Sequence, residues 1–306
     1  MSSRVARFPD APRLIDETAG CAYCPNLCLH ACPVATAEGS TAASPWGLMS
    51  LVRALANGEV VPSRDVAASL LACTGCGACT DACVNEQPVA PVLRAAREAL
   101  FGLAGAALEL PEPAIEASDD QLLPIGVSGA AILALGDTAR FRRSAEAAAR
   151  RWASRSELVF ESAEDLDCVL EAFPRVGVRV ERPARLARAG EGGPKAKVEP
   201  GAVVAWFEPC TVSRSTHFDR QALRAGAEAA LGVPLVSLRW QGKAATCCGA
   251  GGAYSAHSPE GAKAAAGRIL DEALRVGASV LLTACGGCAQ HLEASREGRR
   301  IEVRRG

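Results

Sequence analysis

The stretch Val203-Val204-Ala205-Trp206-Phe207-Glu208-Pro209-Cys210 decides the fold: an apolar run of strand length that ends on a cysteine. The same design recurs twice, residues 235–238 leading to the loop with Cys247 and Cys248, and residues 280–283 leading to Cys285 and Cys288. Between these runs, residues 220–231 and 259–275 carry helical periodicity, so the region reads as a βαβαβ unit with a parallel sheet and right-handed crossovers. Strands of such a sheet share one carboxyl edge, where ligands bind, so five cysteines from three distant stretches are predicted to converge there. Thirty-six residues separate Cys210 from Cys247 and another 36 separate Cys248 from Cys285, which suits one strand-loop-helix passage each. The glycines of Cys247-Cys248-Gly249-Ala250-Gly251-Gly252 allow positive φ and close backbone approach, turning amides toward an anionic centre.

Upstream, Ala131-Ile132-Leu133-Ala134-Leu135 and Leu158-Val159-Phe160 read as buried strands around a helix over 141–153, a second βαβ texture. Residues 174–197, rich in Arg, Gly and Pro, read as a solvated loop, and Leu110-Pro111-Glu112-Pro113 as a connector. The basic end, residues 296–305, reads as a solvated or partner-facing tail. Closer to the N-terminus, Ser44 and Pro45 open a helix that carries Leu48, Leu51, Val52 and Leu55 and stops at Asn57-Gly58; another starts at Ser63. No alternating pattern intervenes, so this part is expected to be all-α.

Within that helical part lie Cys21-x2-Cys24-x3-Cys28-x3-Cys32-Pro33 and Cys73-x2-Cys76-x2-Cys79-x3-Cys83. Four thiolates in about a dozen residues point to iron–sulfur ligation, because short spacings wrap backbone N–H groups around a sulfide-bearing cube. In two-cluster ferredoxins the fourth cysteine of each run crosses to the other cluster. On that pattern Cys21, Cys24, Cys28 and Cys83 hold one [4Fe–4S], and Cys73, Cys76, Cys79 and Cys32 hold its neighbour. The first run departs by a three-residue middle gap, and the second by Val84 where proline is usual. Zinc is the alternative, although zinc motifs normally place a longer loop between their cysteine pairs.

The rest of the composition narrows the classes. Lys and Arg total 33 against 34 Asp and Glu in 306 residues, a net charge of -1, so no basic excess exists for nucleic acid. No apolar run approaches the ~18 residues of a spanning helix, and residues 1–14 lack the layout of a secretory signal. A cytoplasmic location is therefore expected, where fourteen cysteines read as metal or redox chemistry rather than disulfides. Of the four histidines, His30 is expected to be an exposed helical residue, and His217, with Arg214, to cap the next helix rather than meet a substrate anion.

Glu208-Pro209-Cys210-Thr211-Val212-Ser213-Arg214 resembles the Asp-Pro-Cys-x-x-x-Arg motif of the cysteine-rich CCG-domain proteins, with Glu in place of Asp. Cys247-Cys248-Gly249-Ala250-Gly251-Gly252 and Thr283-Ala284-Cys285-Gly286-Gly287-Cys288 are similar to that family's second and third segments. The family includes the cysteine-rich component of heterodisulfide reductase and the iron–sulfur subunits of glycolate oxidase and anaerobic glycerol-3-phosphate dehydrogenase. The resemblance implies a multidomain chain. Residues 1–102 would form an α-helical two-cluster ferredoxin domain and 103–125 a linker; 126–197 would be a degenerate CCG-like α/β half that covers its partner's sheet, and 198–306 a CCG domain. The degenerate half offers only Cys168, expected to be an ordinary buried small residue.

For Cys210, Cys247, Cys248, Cys285 and Cys288 the resemblance implies a third [4Fe–4S] cluster, cubane or non-cubane, with four-thiolate zinc as the rival. No dinucleotide fingerprint or P-loop is present, so flavin would sit on another subunit. The implied function is an electron-transfer subunit between a flavin-dependent dehydrogenase and a quinone or other acceptor. The alternative is a heterodisulfide reductase-like catalytic subunit, working with subunits of that kind, that reduces a disulfide or quinone at the five-cysteine site.

Overall fold

Serine and proline set where the N-terminal helices begin. The computed structural model describes residues 8–113, 122–191 and 198–306. Its first part holds α1 (Ala11–Ala22), α2 (Pro33–Glu38), α3 (Pro45–Ala56), α4 (Arg64–Leu70), α5 (Ala78–Asp81) and α6 (Val89–Ala104). Ser44 Oγ accepts the Gly47 N–H at 3.1 Å with Pro45 in the first helical position, and Ser63 Oγ accepts the Val66 N–H at 3.2 Å. The helices bury Leu14, Met49, Val52, Leu55, Leu70, Leu93 and Leu100 in one core, each such side chain worth about 1.5–3 kcal/mol. The cysteine runs occupy what this core leaves over, the segments from the end of α1 to α2 and from α4 to α6.

Two parallel sheets follow. The first comprises β1 (Leu122–Leu123), α7 (Ala130–Ala134), α8 (Thr138–Trp152), β2 (Leu158–Phe160), α9 (Ala163–Asp167), a π-helical turn at Cys168–Ala172, α10 (Phe173–Arg175) and β3 (Ala184–Leu186), with strand order β1-β2-β3. The second comprises β4 (Val204–Phe207), α11 (Cys210–Arg214), α12 (Arg220–Leu231), β5 (Val236–Ser237), α13 (Tyr254–His257), α14 (Pro259–Arg275), β6 (Val280–Thr283), α15 (Gly286–Ala294) and β7 (Glu302–Arg305), in the order β5-β4-β6-β7. Every pairing is parallel. β4 and β6 are buried at every position, which is why both read as unbroken apolar runs rather than alternating ones. A single apolar core serves both sheets, with Trp152, Phe160 and Phe173 on one side and Trp206 and Phe207 on the other.

Four sequence expectations are corrected. Ala131 to Leu135 is not a strand: Ala130–Ala134 is α7, and so short an apolar run cannot be divided between strand and helix by periodicity, whereas its alanines favour helix. The linker assigned to 103–125 contains β1, which pairs with β2 although it is two residues long. The loop assigned to 174–197 contains β3; residues 192–197 lie outside the described residues. The basic tail is not free, because residues 302–305 form β7 along β6, with Arg304 paired to Glu302.

The order β5-β4-β6 places the chain's reversal of direction between β4 and β6. Helices that leave neighbouring strands toward opposite faces open a crevice at the carboxyl edge. Cys210 starts α11 directly beyond β4, and Cys285 precedes α15 directly beyond β6.

Candidate metal centres

In the helical part the thiols surround volumes rather than a point. Cys21, Cys24, Cys28 and Cys83 line a cavity of about 50 Å3, and Cys79 stands on its wall. Cys32, Cys73 and Cys76, again with Cys79, line a second of about 20 Å3. Backbone amides already point at sulfur: Ala35 N–H donates to Cys32 Sγ and Gly75 N–H to Cys73 Sγ, both at 3.4 Å. Burial pushes the Cys21 thiol up to about 11 and that of Cys32 up to about 12, with neighbouring cysteines adding to the rise. Thiols held this way stay protonated at neutral pH on their own and ionise when a cation binds. Trp46 lines the first cavity and its indole N–H is buried without a partner, a donor suited to an anionic sulfur.

The C-terminal cysteines line a much larger space. Cys210, Cys247, Cys248, Cys285 and Cys288 open on one cleft of about 900 Å3, whose other walls come from the helical part and from the first sheet's loops. Cys248 and Cys288 lie 3.4 Å apart, sulfur to sulfur. Cys247 is pushed well down because Cys210 and Cys248 donate to it, with help from the Gly249 N–H at 3.3 Å. Cys285 falls to about 6, chiefly through a hydrogen bond from Cys288, and the Ala163 N–H also reaches its sulfur at 3.3 Å. Two sulfurs are thus prepared as thiolates, each ringed by donors. Among the described residues, no three His, Cys, Asp or Glu side chains form a group that would hold a single metal ion.

The glycine-rich loop is held where a side chain would not fit. Gly249 has φ 101°, and a Cβ there would stand 2.6 Å from the Ala262 carbonyl oxygen; one on Gly251 would stand 2.8 Å from that of Thr74. Glu208, the residue replacing the family's Asp, is buried and ties two of the cysteine loops together. It accepts from Ser213 Oγ at 2.6 Å and from the Gly242 N–H at 2.9 Å, joining the turn after β4 to the turn before Cys247.

All thirteen cysteines singled out in the sequence therefore line at least one of three cavities, and Cys76 and Cys79 line two each. Cys168 is buried as expected, yet it also lines the large cleft. Arg214 and His217 do not cap the next helix; Asp219 does, while His217 meets Glu171 at 2.8 Å and Arg214 crosses to Asp81 at 2.7 Å. His30 is exposed in a 3-10 turn and Lys243 is exposed beyond β5.

Sequence reading missed Thr74, Glu164 and Arg97. Thr74, between two cysteines of the second run, hydrogen-bonds both Cys76 and Cys247. Glu164 accepts the Gly252 N–H at 2.8 Å, and desolvation pushes its carboxyl up to about 8. Buried Arg97 donates to the Leu70, Cys73 and Ala134 carbonyls at 2.9–3.2 Å, binding the second cysteine run to α7. Only Thr74 carried a signal, its place inside C-x2-C; the other two act across distances that no local spacing encodes.

Comparison with known proteins agrees with this division. Residues 17–87 match the 4Fe-4S dicluster domain and residues 204–293 match the cysteine-rich domain, CCG. A probable glycolate oxidase iron-sulfur subunit of Bacillus subtilis (strain 168) is 35% identical over 83 residues, which cover 27% of this chain and 18% of that protein. The match thus spans less than a fifth of the curated relative's length. No solved structure matches the chain. A helical 4Fe-4S region followed by a parallel-sheet region with a CCG domain makes the chain a CCG-domain iron–sulfur protein.

Proposed function

We propose that the chain is an electron-transfer subunit with three iron–sulfur centres, which takes electrons from a flavoprotein dehydrogenase partner and delivers them toward a quinone or other acceptor. The observation that carries this reading is that the cavities are joined thiol by thiol. Cys79 stands on the walls of the first and second cavities, and Cys76 on the walls of the second cavity and the large cleft. In this reading Cys21, Cys24, Cys28 and Cys83 hold the first [4Fe–4S], and Cys32, Cys73, Cys76 and Cys79 hold the second. The five C-terminal cysteines hold the third. Bound there, the clusters provide one-electron redox steps; the chain's own amides and buried side chains tune them by hydrogen bonds to sulfur.

The partner is proposed to meet the first-cluster end. Tyr23 (91% exposed), Leu27 (50%) and Val84 (85%) each adjoin a cysteine of that set, forming an apolar rim where a redox partner would approach. The likeness to a glycolate oxidase iron-sulfur subunit supports a flavoprotein in that place. Val84→Asp should slow reduction by the flavoprotein without loss of iron; an unchanged rate moves the docking site elsewhere.

The size of the C-terminal cleft, about 900 Å3, favours a second reading in which its centre reduces a disulfide or quinone directly. Two measurements decide. Oxygen-free protein should hold about twelve irons and no zinc for three four-iron clusters, against about eight and one if the C-terminal site is structural zinc. Turnover of disulfide or quinone by the isolated chain would favour the catalytic reading, and inactivity until a flavoprotein is added favours the relay.

A further inference from the structure

Arg214 ends α11, four residues after Cys210, the spacing that sets two side chains on one helix face. Its guanidinium reaches across to the helical part. Nε donates to Asp81 Oδ2 of α5 at 2.7 Å, while Nη2 donates to the Ala245 carbonyl at 2.7 Å and the Lys243 carbonyl at 3.2 Å. The fork therefore joins three pieces: α5, the loop that leads to Cys247, and the helix that begins with Cys210. Gly77, the residue after Cys76, has φ 76°, and a Cβ on it would stand 3.0 Å from Arg214 Cδ. Arg214 packs directly on the Cys76 loop.

One nitrogen is left over. Nη1 is buried and has no hydrogen-bond partner, an omission that costs the desolvation of a charged donor and is seldom tolerated without a reason. Arg214 shares a cavity of about 390 Å3 with Cys76 and Cys210. The unpartnered nitrogen thus belongs to a side chain that stands beside a thiol of the second run and one of the C-terminal set.

Resting on the relay proposed above, we infer that Arg214 is the positioning residue of the step between domains: it clamps the Cys76 loop against the Cys210 and Cys247 edge, and its Nη1 donates to an anionic sulfur of the C-terminal centre. With both centres bound, one electron would cross at this junction, so the second helical-domain centre would be oxidised by one and the C-terminal centre reduced by one, with no bond made or broken. The guanidinium charge favours the more negative, reduced state of the centre it faces.

The test uses the full chain loaded with iron and sulfide without oxygen, as wild type, R214M, R214K and D81N. Iron content, redox titration and electron paramagnetic resonance are read on each. In R214M, iron should be complete, the C-terminal midpoint should shift to lower potential, and spin coupling between the second and C-terminal centres should be lost. R214K keeps the charge but not the fork, so it should hold the potential near wild type while the coupling weakens. D81N should weaken the coupling and leave the potential alone. Full iron with R214M matching wild type in both readouts overturns this inference alone; wild-type protein with about eight irons and one zinc overturns the relay as well. If R214M loses C-terminal iron, D81N decides, and unchanged coupling there overturns the clamp.

Discussion

The two parallel sheets differ in what they bring to the cleft. The first, β1-β2-β3, adds strands in one direction only and carries a single cysteine; the second, β5-β4-β6-β7, reverses between β4 and β6 and carries five beyond its strand ends. A crevice for ligands opens where strand order reverses, so the cysteines stand where topology makes room for them. The first sheet's contribution is of another kind. Beyond β2, the Glu161 carbonyl accepts the Gly286 N–H at 2.7 Å, Ala163 N–H donates to Cys285 Sγ, and Glu164 accepts from Gly252. This half walls the cysteine-bearing edge, through α9 and the loop before it. The half with a single cysteine supplies hydrogen bonds around the cysteines of the other.

The harshest way to break this comparison is to remove ligands from the two ends of the chain of cavities. Cys21→Ser should cost about four irons and leave the C-terminal resonance unchanged. Cys76→Ser should also cost about four, yet alter the C-terminal resonance, because that sulfur lines the second cavity and the cleft together. An unaltered C-terminal signal in the second variant would mean that the helical part is no wall of the site.

The next variant probes the contact between the halves. A Cβ on Gly286 would stand 2.9 Å from the Glu161 carbonyl oxygen and 3.2 Å from Glu161 Cβ, so Gly286→Ala should cost about 1–3 kcal/mol. Gly58→Ala is the fair comparison: φ is 77° but the space is open, and backbone strain alone should cost about 1–2 kcal/mol. Thermal unfolding of loaded protein measures both, and the Gly286 variant should in addition lose C-terminal iron faster to a chelator. Equal retention of iron in the two would place the first sheet's loop outside the site.

What could be read from the sequence follows the same divide. The half with five cysteines was legible because its signals are local: apolar runs at β4 and β6, a helix at Pro259–Arg275 that the structure reproduces residue for residue, and cysteines at fixed distances from each. The helical part was legible through Ser44, Pro45 and Ser63. In the first sheet only β2, Leu158–Phe160, and the helix after α7 were. β1 and β3 are two and three residues long, too short for a pattern, and are specified by pairing with β2 rather than by their own side chains. Glu164 and Arg97 escaped, and Arg214 was given the wrong partner, for the related reason that their partners are 24 to 133 residues away.

A smaller effect is expected from Glu164. Its folded carboxyl keeps a proton to about pH 8, whereas the unfolded chain releases it near the ordinary value of 4.5. Between those values the folded state binds more protons, so this residue's contribution to stability falls as pH rises through that window. An anionic centre opposite it acts in the same direction. Glu164→Gln should flatten the decline in melting temperature from pH 5 to pH 8, and an identical slope in the two proteins would show that the cleft wall is wetter than its hydrogen bonds indicate.

The finest discrimination rests on Cys168, the one cysteine of the ligand-poor half. It lies in the cleft wall, so position alone would admit it as a sixth ligand. Its surroundings argue otherwise. Burial pushes its thiol far up, and Asp165, Glu164 and Asp167 nearby oppose ionisation further, while the Ser128 hydroxyl donates to Asp165 Oδ1 at 2.6 Å. Three carboxylates at that sulfur oppose the negative charge a cluster would bring, in contrast to Cys247 and Cys285, which are ringed by donors. Cys168→Ala should therefore leave iron content and the C-terminal resonance intact and cost only about 1 kcal/mol of packing. Loss of iron in this variant would make the first half a ligand donor after all, and the division of labour between the sheets would have to be withdrawn.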